Sequence, residues 1–140
     1  MLGVRFSRPA PPMNPRLLSP DDWQKFRDIR LMSVKTDPQA FGGDLSEELS
    51  RQEPEWRKRL ESSDRFYVGL EDGGVLASFA GAKKMEQTEW MLTSVYTVSS
   101  ARGRGLAQKV VEGVLEECKK RGVTRMELMV NVDQADAVYL

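Results

Sequence analysis

The sequence predicts one α/β domain built on a mixed, mostly antiparallel sheet flanked by helices. Three stretches predict it. Phe66, Val68 and Leu70 alternate, run into Glu71-Asp72-Gly73-Gly74 and are answered by Val75 to Gly81, a β-hairpin pattern with glycines at the turn. Trp90 to Val98, rich in Thr, Val, Tyr and Trp, has the composition of a central strand. Gly105 to Lys120 then carries Leu106, Val110, Val114 and Cys118 on one face at successive four-residue steps, and Arg125 to Val130 follows as another strand. The last two stretches form a β-loop-α-β unit with glycines at the mouth of its helix.

A chain of 140 residues is one domain by length and can bury about two-thirds of its unfolded surface. Acidic and basic residues balance at 21 each, so no overall field draws the chain toward nucleic acid or an anionic membrane, and an anionic ligand must be met by local charge. No apolar run approaches the length of a membrane span. The single cysteine, Cys118, cannot form an internal disulfide framework and suits a reducing cytoplasm. Histidine is absent, which removes Ser-His and Cys-His nucleophile pairs and histidine metal sites. Hydrolase and metalloenzyme readings are therefore disfavoured, and no metal is expected.

Residues 1–15 hold Pro9, Pro11, Pro12 and Pro15 and read as an extended arm, with Met13 an alternative start. Residues 16–140 form the domain. Arg16 to Leu18 suits a short strand. Ser19-Pro20-Asp21-Asp22 is a helix start, with Ser19 as cap and Pro20 in the first turn. Trp23, Phe26, Ile29 and Met32 predict an apolar stripe behind it, ending near Asp37-Pro38. Ala40 to Ser46 reads as a loop. Glu47 to Leu60 reads as a second, more exposed helix that Pro54 breaks or restarts, and a polar turn is expected near Lys83 to Gln87. Trp23, Phe26 and Trp56 read as core, as does Cys118. Lys119, Lys120 and Arg121 suit the C-terminal end of the long helix, with Gly122 as its cap, and Ala135 to Leu140 begins a further helical pattern.

The chemistry concentrates in Ser99-Ser100-Ala101-Arg102-Gly103-Arg104-Gly105. Free amides of a first helical turn, backed by the positive end of the helix dipole, hold phosphate without a dedicated side chain. Gly103 and Gly105 let the backbone curl and approach closely, and Arg102 and Arg104 offer two guanidiniums. The plainer alternative is a flexible, solvated turn. A P-loop is excluded, because no Gly-Lys-Ser/Thr follows at the required spacing. A dinucleotide fingerprint matches at Gly103 and Gly105 but has Gln108 in its third glycine position, although Glu127 stands where a ribose-binding acid would.

Arg102-Gly103-Arg104-Gly105-Leu106-Ala107 resembles the Gln/Arg-x-x-Gly-x-Gly/Ala signature of the GNAT N-acetyltransferase family, with Arg102, Gly105 and Ala107 on its defining positions. The order of two helices, a hairpin, a long strand, the signature helix and a further strand is also the family's. The resemblance runs from Arg16 to Leu140. Arg30-Leu31, Asp37-Pro38-Gln39-Ala40-Phe41-Gly42 and Trp56 look like the first two helices of one bacterial subgroup.

The resemblance implies the acyl-CoA N-acyltransferase fold and transfer of an acetyl group from acetyl-CoA to a primary amine by direct attack. It puts the CoA diphosphate on the amides of Arg102, Gly103, Arg104, Gly105, Leu106 and Ala107. The pantetheine arm would lie along the preceding strand near Val95, Tyr96 and Thr97. A strand amide would polarise the thioester carbonyl, so no enzyme nucleophile is needed. Alternatives are a catalytically inactive acyl-CoA-binding module on the same fold and, from another class, a dinucleotide-binding regulatory domain.

Toward its end the sequence departs from the family pattern. Gln134 stands on the position of a family Asn that would contact the cofactor, and Ala137 and Leu140 stand on the Ala and Leu that follow. The sequence stops one position before the Tyr that often protonates the leaving thiolate, and Tyr139 is out of register for it. The expectation is a shortened family domain without its last strands, whose uncovered edge is paired in a homodimer. Glu89 is the candidate general base, on one pleat face with Met91, Thr93, Val95 and Thr97 and able to act through water. It reads equally as a solvated carboxylate at a strand end. The identity of the amine is not legible.

Overall fold

A computed structural model describes residues 13–41 and 44–128. The elements in chain order are β1 (Arg16–Leu17), a 3-10 turn (Pro20–Asp22), α1 (Trp23–Thr36), α2 (Pro38–Phe41), α3 (Leu45–Ser50), α4 (Glu53–Glu61), β2 (Arg65–Asp72), β3 (Val75–Glu86), β4 (Glu89–Thr97), a second 3-10 turn (Ser99–Ala101), α5 (Leu106–Lys120) and β5 (Arg125–Leu128). The strands stand in sequence order β1-β2-β3-β4-β5. Neighbours are antiparallel except β4 and β5, which are parallel and joined through α5, the crossover that a parallel pair requires.

Each sheet face is covered by its own core. Phe66, Val68, Leu70, Ala80, Ala82 and Trp90 pack against Leu106, Val110, Val114 and Cys118 of α5. These helix positions are the predicted stripe, and the reason is geometric: each four-residue step drifts by only about 40°, so the four positions share one broad face of the helix. On the opposite face Tyr67, Phe79 and Tyr96 meet Phe26, Ile29, Trp56 and Leu60 from α1 and α4. Phe26 sits at the centre, edge-on to Trp56 and Phe79 at 5.8 Å from each ring.

The start of α1 follows its sequence signature. The Ser19 amide donates to Asp22 Oδ2 at 2.9 Å, and the Asp22 amide donates to the Ser19 carbonyl at 2.9 Å. Arg16 grips the same carboxylate with two bonds of 2.8 Å and holds the Asp22 carboxyl below its usual range. Asp22→Ala removes the cap and leaves Arg16 with Glu71 alone. We expect a loss of about 2 kcal/mol in urea unfolding at neutral pH, and a change below a few tenths would show the cap to be dispensable.

Several expectations change. The predicted stripe of α1 covers only part of its buried face: Phe26 and Ile29 are buried, whereas Met32 is 47% exposed. Three residues turn a helix through about 300°, so a strict triplet slips about 60° at every step and carries Met32 off the core. Arg30, Ser33 and Val34 complete the buried face instead. The stretch read as a loop takes in the end of α2 at Ala40 and Phe41 and the start of α3 at Leu45 and Ser46. The second helix is divided into α3 and α4, with Pro54 in the first turn of α4, where its missing N–H costs nothing. β3 continues past Gly81 to Glu86, which shrinks the polar turn to Gln87 and Thr88. At the end of α5, Gly122 adopts φ 77°, and the Val123 amide returns to the Cys118 carbonyl at 3.0 Å. Residues 1–12 of the arm, the end of the last strand beyond Leu128, and Gln134, Ala137 and Leu140 with the proposed dimer edge lie outside the described residues.

Three arginines surround one carboxylate between α1, α3 and α4. Glu48 is 3% exposed. It accepts from Arg30 at 3.4 Å and Arg59 at 3.2 Å, with Arg51 Nε at 3.6 Å. Arg30 also donates to the Phe41 carbonyl at 3.1 Å, which ties the short α2 turn to α1. Phe41 in turn lies edge-on to the Tyr96 ring at 5.5 Å, so this cluster sets the position of α2 over β4.

Candidate active site

Between β4 and α5 the chain makes a tight descent. Ser99–Ala101 forms a 3-10 turn whose Ala101 is buried, and the backbone then emerges at Arg102. Gly103 and Gly105 take φ of 81° and 74°, and Gly105 is the left-handed N-cap of α5. A side chain would strain that conformation, which is the reason for glycine at the helix mouth. Leu106 is 2% exposed and plugs the first turn into the core, while Arg102 to Gly105 face solvent.

Gly105 has no side chain to cap the amides behind it. The Lys109 amide is the first to reach a helical acceptor, the Gly105 carbonyl, at 3.3 Å. The amides of Gly103, Arg104, Gly105, Leu106, Ala107 and Gln108 donate to no acceptor among the described residues. These donors without an internal acceptor stand at the positive end of a fifteen-residue helix, an arrangement suited to an anion. The two guanidiniums of this turn are already engaged. Arg102 Nε donates to the Thr97 carbonyl at 3.2 Å, which bends its side chain back to the end of β4. Arg104 donates to Asp72 Oδ2 at 2.9 Å across the β2–β3 hairpin.

The strand leading into this turn is asymmetric. Its pairing with β3 runs from Glu89 to Thr97, whereas its pairing with β5 joins Glu89 through Leu92 to Arg125 through Leu128. Among the described residues no strand pairs with the remaining β5-facing edge, from Thr93 to Thr97. Val95, Tyr96 and Thr97 are therefore brought beside the amide-lined turn, with one backbone edge unpaired among the described residues. Their side chains are otherwise occupied. Val95 packs on the α5 core, the Tyr96 hydroxyl lies 3.2 Å from Thr36 Oγ1, and Thr97 Oγ1 lies 2.9 Å from the Ser78 hydroxyl.

A β-bulge corrects the expected pleat. Gly81 pairs with Ser94 and Ala82 with Leu92, so Thr93 is an extra residue in β4. Leu92 and Val95 then both pack toward α5, and Glu89 and Met91 lie on the face opposite Val95 and Thr97. The one-face alignment proposed for Glu89 does not hold. Its carboxylate is paired with Arg125 Nε at 3.4 Å, across the parallel register to β5. Cys118 is 4% exposed with its sulfur 3.9 Å from Met126 Sδ. Burial pushes its thiol up, so it stays protonated and packs as an apolar group.

Sequence reasoning found the turn, its glycines and the strand before it. It missed Asp72, the Thr93 bulge and the contacts of Thr36 and Phe41 with Tyr96. Each depends on residues brought together from distant parts of the chain, for which no local pattern exists.

The fold that carries this turn is shared with solved acetyltransferases. The chain matches the Acetyltransferase (GNAT) family over residues 26–140 and belongs to that family. It is 28% identical over 87 residues to the N-alpha-acetyltransferase RimI of Mycobacterium tuberculosis (strain ATCC 25618 / H37Rv), a match covering 60% of this chain and 54% of that protein. The chain thus spans about half the length of the curated relative it matches. An aminoglycoside acetyltransferase from an uncultured soil metagenomic sample superposes with a TM-score of 0.72 at 20% identity, covering 91% of this chain and 88% of the other. The PaiA N-acetyltransferase from Thermoplasma acidophilum, solved in complex with coenzyme A, superposes with a TM-score of 0.68 at 16% identity, covering 89% and 82%. At these identities the structures establish the fold. Among the described residues no helix is long and apolar enough to cross a membrane.

Proposed function

We propose that the chain is an acetyl-CoA-dependent N-acetyltransferase that passes an acetyl group to a primary amine by direct attack. The observation that carries this reading is the run of amides from Gly103 to Gln108 without an acceptor among the described residues, next to a stretch of β4 that no described strand pairs on the β5 side. The family match and the superposition on a protein solved with coenzyme A support it. In this reading the diphosphate rests on the amides of Arg102 to Ala107, and the pantetheine amides pair with the β4 backbone at Val95 to Thr97. Gln134, outside the described residues, is a further proposed contact.

The chemistry asks little of side chains. The amine nitrogen attacks the thioester carbonyl carbon, a C–N bond forms and the C–S bond breaks. One amine proton is lost, and the departing thiolate takes up a proton. A strand amide directed at the carbonyl oxygen stabilises the developing charge. Glu89, paired with Arg125 Nε, is the proposed base, acting through water. The cytoplasm is the proposed compartment, and a homodimer through the C-terminal edge is the proposed assembly.

The test is direct. Coenzyme A and acetyl-CoA should both raise the melting temperature, and a panel of amines should trigger release of free thiol from acetyl-CoA. Stabilisation without thiol release from any amine would favour an inactive acyl-CoA-binding module. Stabilisation by a dinucleotide but not by coenzyme A would overturn the reading.

A further inference from the structure

Arg104 stands inside the proposed diphosphate seat by its backbone, yet its side chain is turned away from it. The guanidinium donates to Asp72 Oδ2 at 2.9 Å and approaches Met13 Sδ at 3.7 Å. Asp72 ends β2, immediately before the two turn glycines of the hairpin, and pairs in register with Val75. It is separated from Arg104 by 32 positions, so only the fold brings them together. Both side chains are about half exposed, Arg104 at 44% and Asp72 at 49%.

Two physical consequences follow. The Arg104–Asp72 pair is neutral as a unit, so the seat loses the cation that its sequence advertises. The Asp72 carboxylate, held by the side chain of a residue of this turn, also brings a negative charge to the side of the site from which Arg104 would act, an effect that salt screens beyond about 8 Å. A dianion approaching the seat must compete with Asp72 for Arg104 and is repelled by Asp72 at the same time. Arg102 keeps its charge, but its Nε is tethered to the Thr97 carbonyl at the end of β4.

We infer that Asp72 is an electrostatic brake on the diphosphate site: by holding Arg104 on the hairpin it weakens coenzyme A binding and favours release of the product. The inference rests on the reading that coenzyme A binds at Arg102 to Ala107. It concerns affinity and exchange, and it places Asp72 outside the groups that touch the reacting atoms.

The test is a double-mutant cycle read by calorimetric titration with coenzyme A. Asp72→Asn keeps a residue that suits the hairpin turn and removes only the charge. It should tighten coenzyme A about two- to fivefold at low salt, the range open to an exposed pair, and the gain should shrink at high salt. Arg104→Gln should weaken binding by a similar factor, and adding Asp72→Asn to it should recover less than the single change gains. Unchanged or weaker binding in Asp72→Asn, with the wild type still binding coenzyme A, overturns the brake alone. A wild type that binds no coenzyme A overturns both the brake and the reading beneath it. Full additivity of the two changes would also overturn the brake, since Asp72 would then act without Arg104.

Discussion

Gly105→Glu should abolish the stabilisation of this chain by coenzyme A while leaving it folded. Gly105 caps α5 at φ 74° and ψ 18°, and a β-carbon there meets nothing within 4 Å. The fold therefore pays only the left-handed strain of a residue with a side chain, about 1–2 kcal/mol. The ligand faces more. A carboxylate at the mouth of the helix puts a negative charge within a few ångströms of the diphosphate seat, where the repulsion reaches about 4 kcal/mol at an effective dielectric of 20. Binding should weaken by more than about a hundredfold. Thermal melts measure it: the wild type should gain about 2.7 kcal/mol at a coenzyme A concentration of about one hundred times Kd, and the variant nothing. Gly105→Ala separates the two effects, since it carries the strain without the charge and should keep most of the ligand response. Equal ligand stabilisation in Gly105→Glu and wild type would remove the helix mouth from the binding site.

Glu48→Ala should be strongly destabilising. It strips the carboxylate from Arg30, Arg51 and Arg59, and Arg30 Nε and Arg51 Nε are already buried without an acceptor among the described residues. Removing one partner of a buried charge network costs about 3–5 kcal/mol, because the remaining charges stay buried. A fall in melting temperature on the order of 10 °C should follow, and Glu48→Gln should recover only a small part of it. The pH dependence has a definite sign. Burial alone would raise the Glu48 carboxyl, but the hydrogen bond from Arg59 and the charges of Arg59, Arg30 and Arg51 outweigh it and hold the carboxyl below the ordinary glutamate value. Its contribution is present above the unfolded-state pKa and is lost as the pH falls through the depressed folded value. Urea unfolding of wild type and Glu48→Gln at neutral and acidic pH measures this, and the difference between them should shrink in acid. A difference that stays constant across that range would mean the charge of Glu48 is not what the arginines require.

The two experiments probe opposite ends of what the chain discloses before it folds. Gly105 and the α5 stripe are local facts: a helix of period 3.6 declares its buried face within its own residues, and a left-handed cap needs glycine whatever surrounds it. The same is true of the Ser19–Asp22 cap and the Gly73-Gly74 turn, whose residues bond to near neighbours. Met32 shows the limit, since a pattern read in threes departs from a helix that turns in steps of 3.6.

The class of fold, the helix mouth and the strand that feeds it are written in contiguous residues under short-range geometry, so the order of residues was enough to place them. The remaining features depend on contacts between distant parts of the chain. The Thr93 bulge, which turns Glu89 to the face opposite Val95, arises from how β4 registers on β3 beside Gly81, where Tyr67 leaves no room for a β-carbon. The Glu48 cluster joins three helices, and the Asp72–Arg104 pair joins a hairpin to a loop 32 positions away. Such pairings are selected by the packing of the whole chain and by the cost of burying charge, and neither is expressed in a run of neighbouring residues.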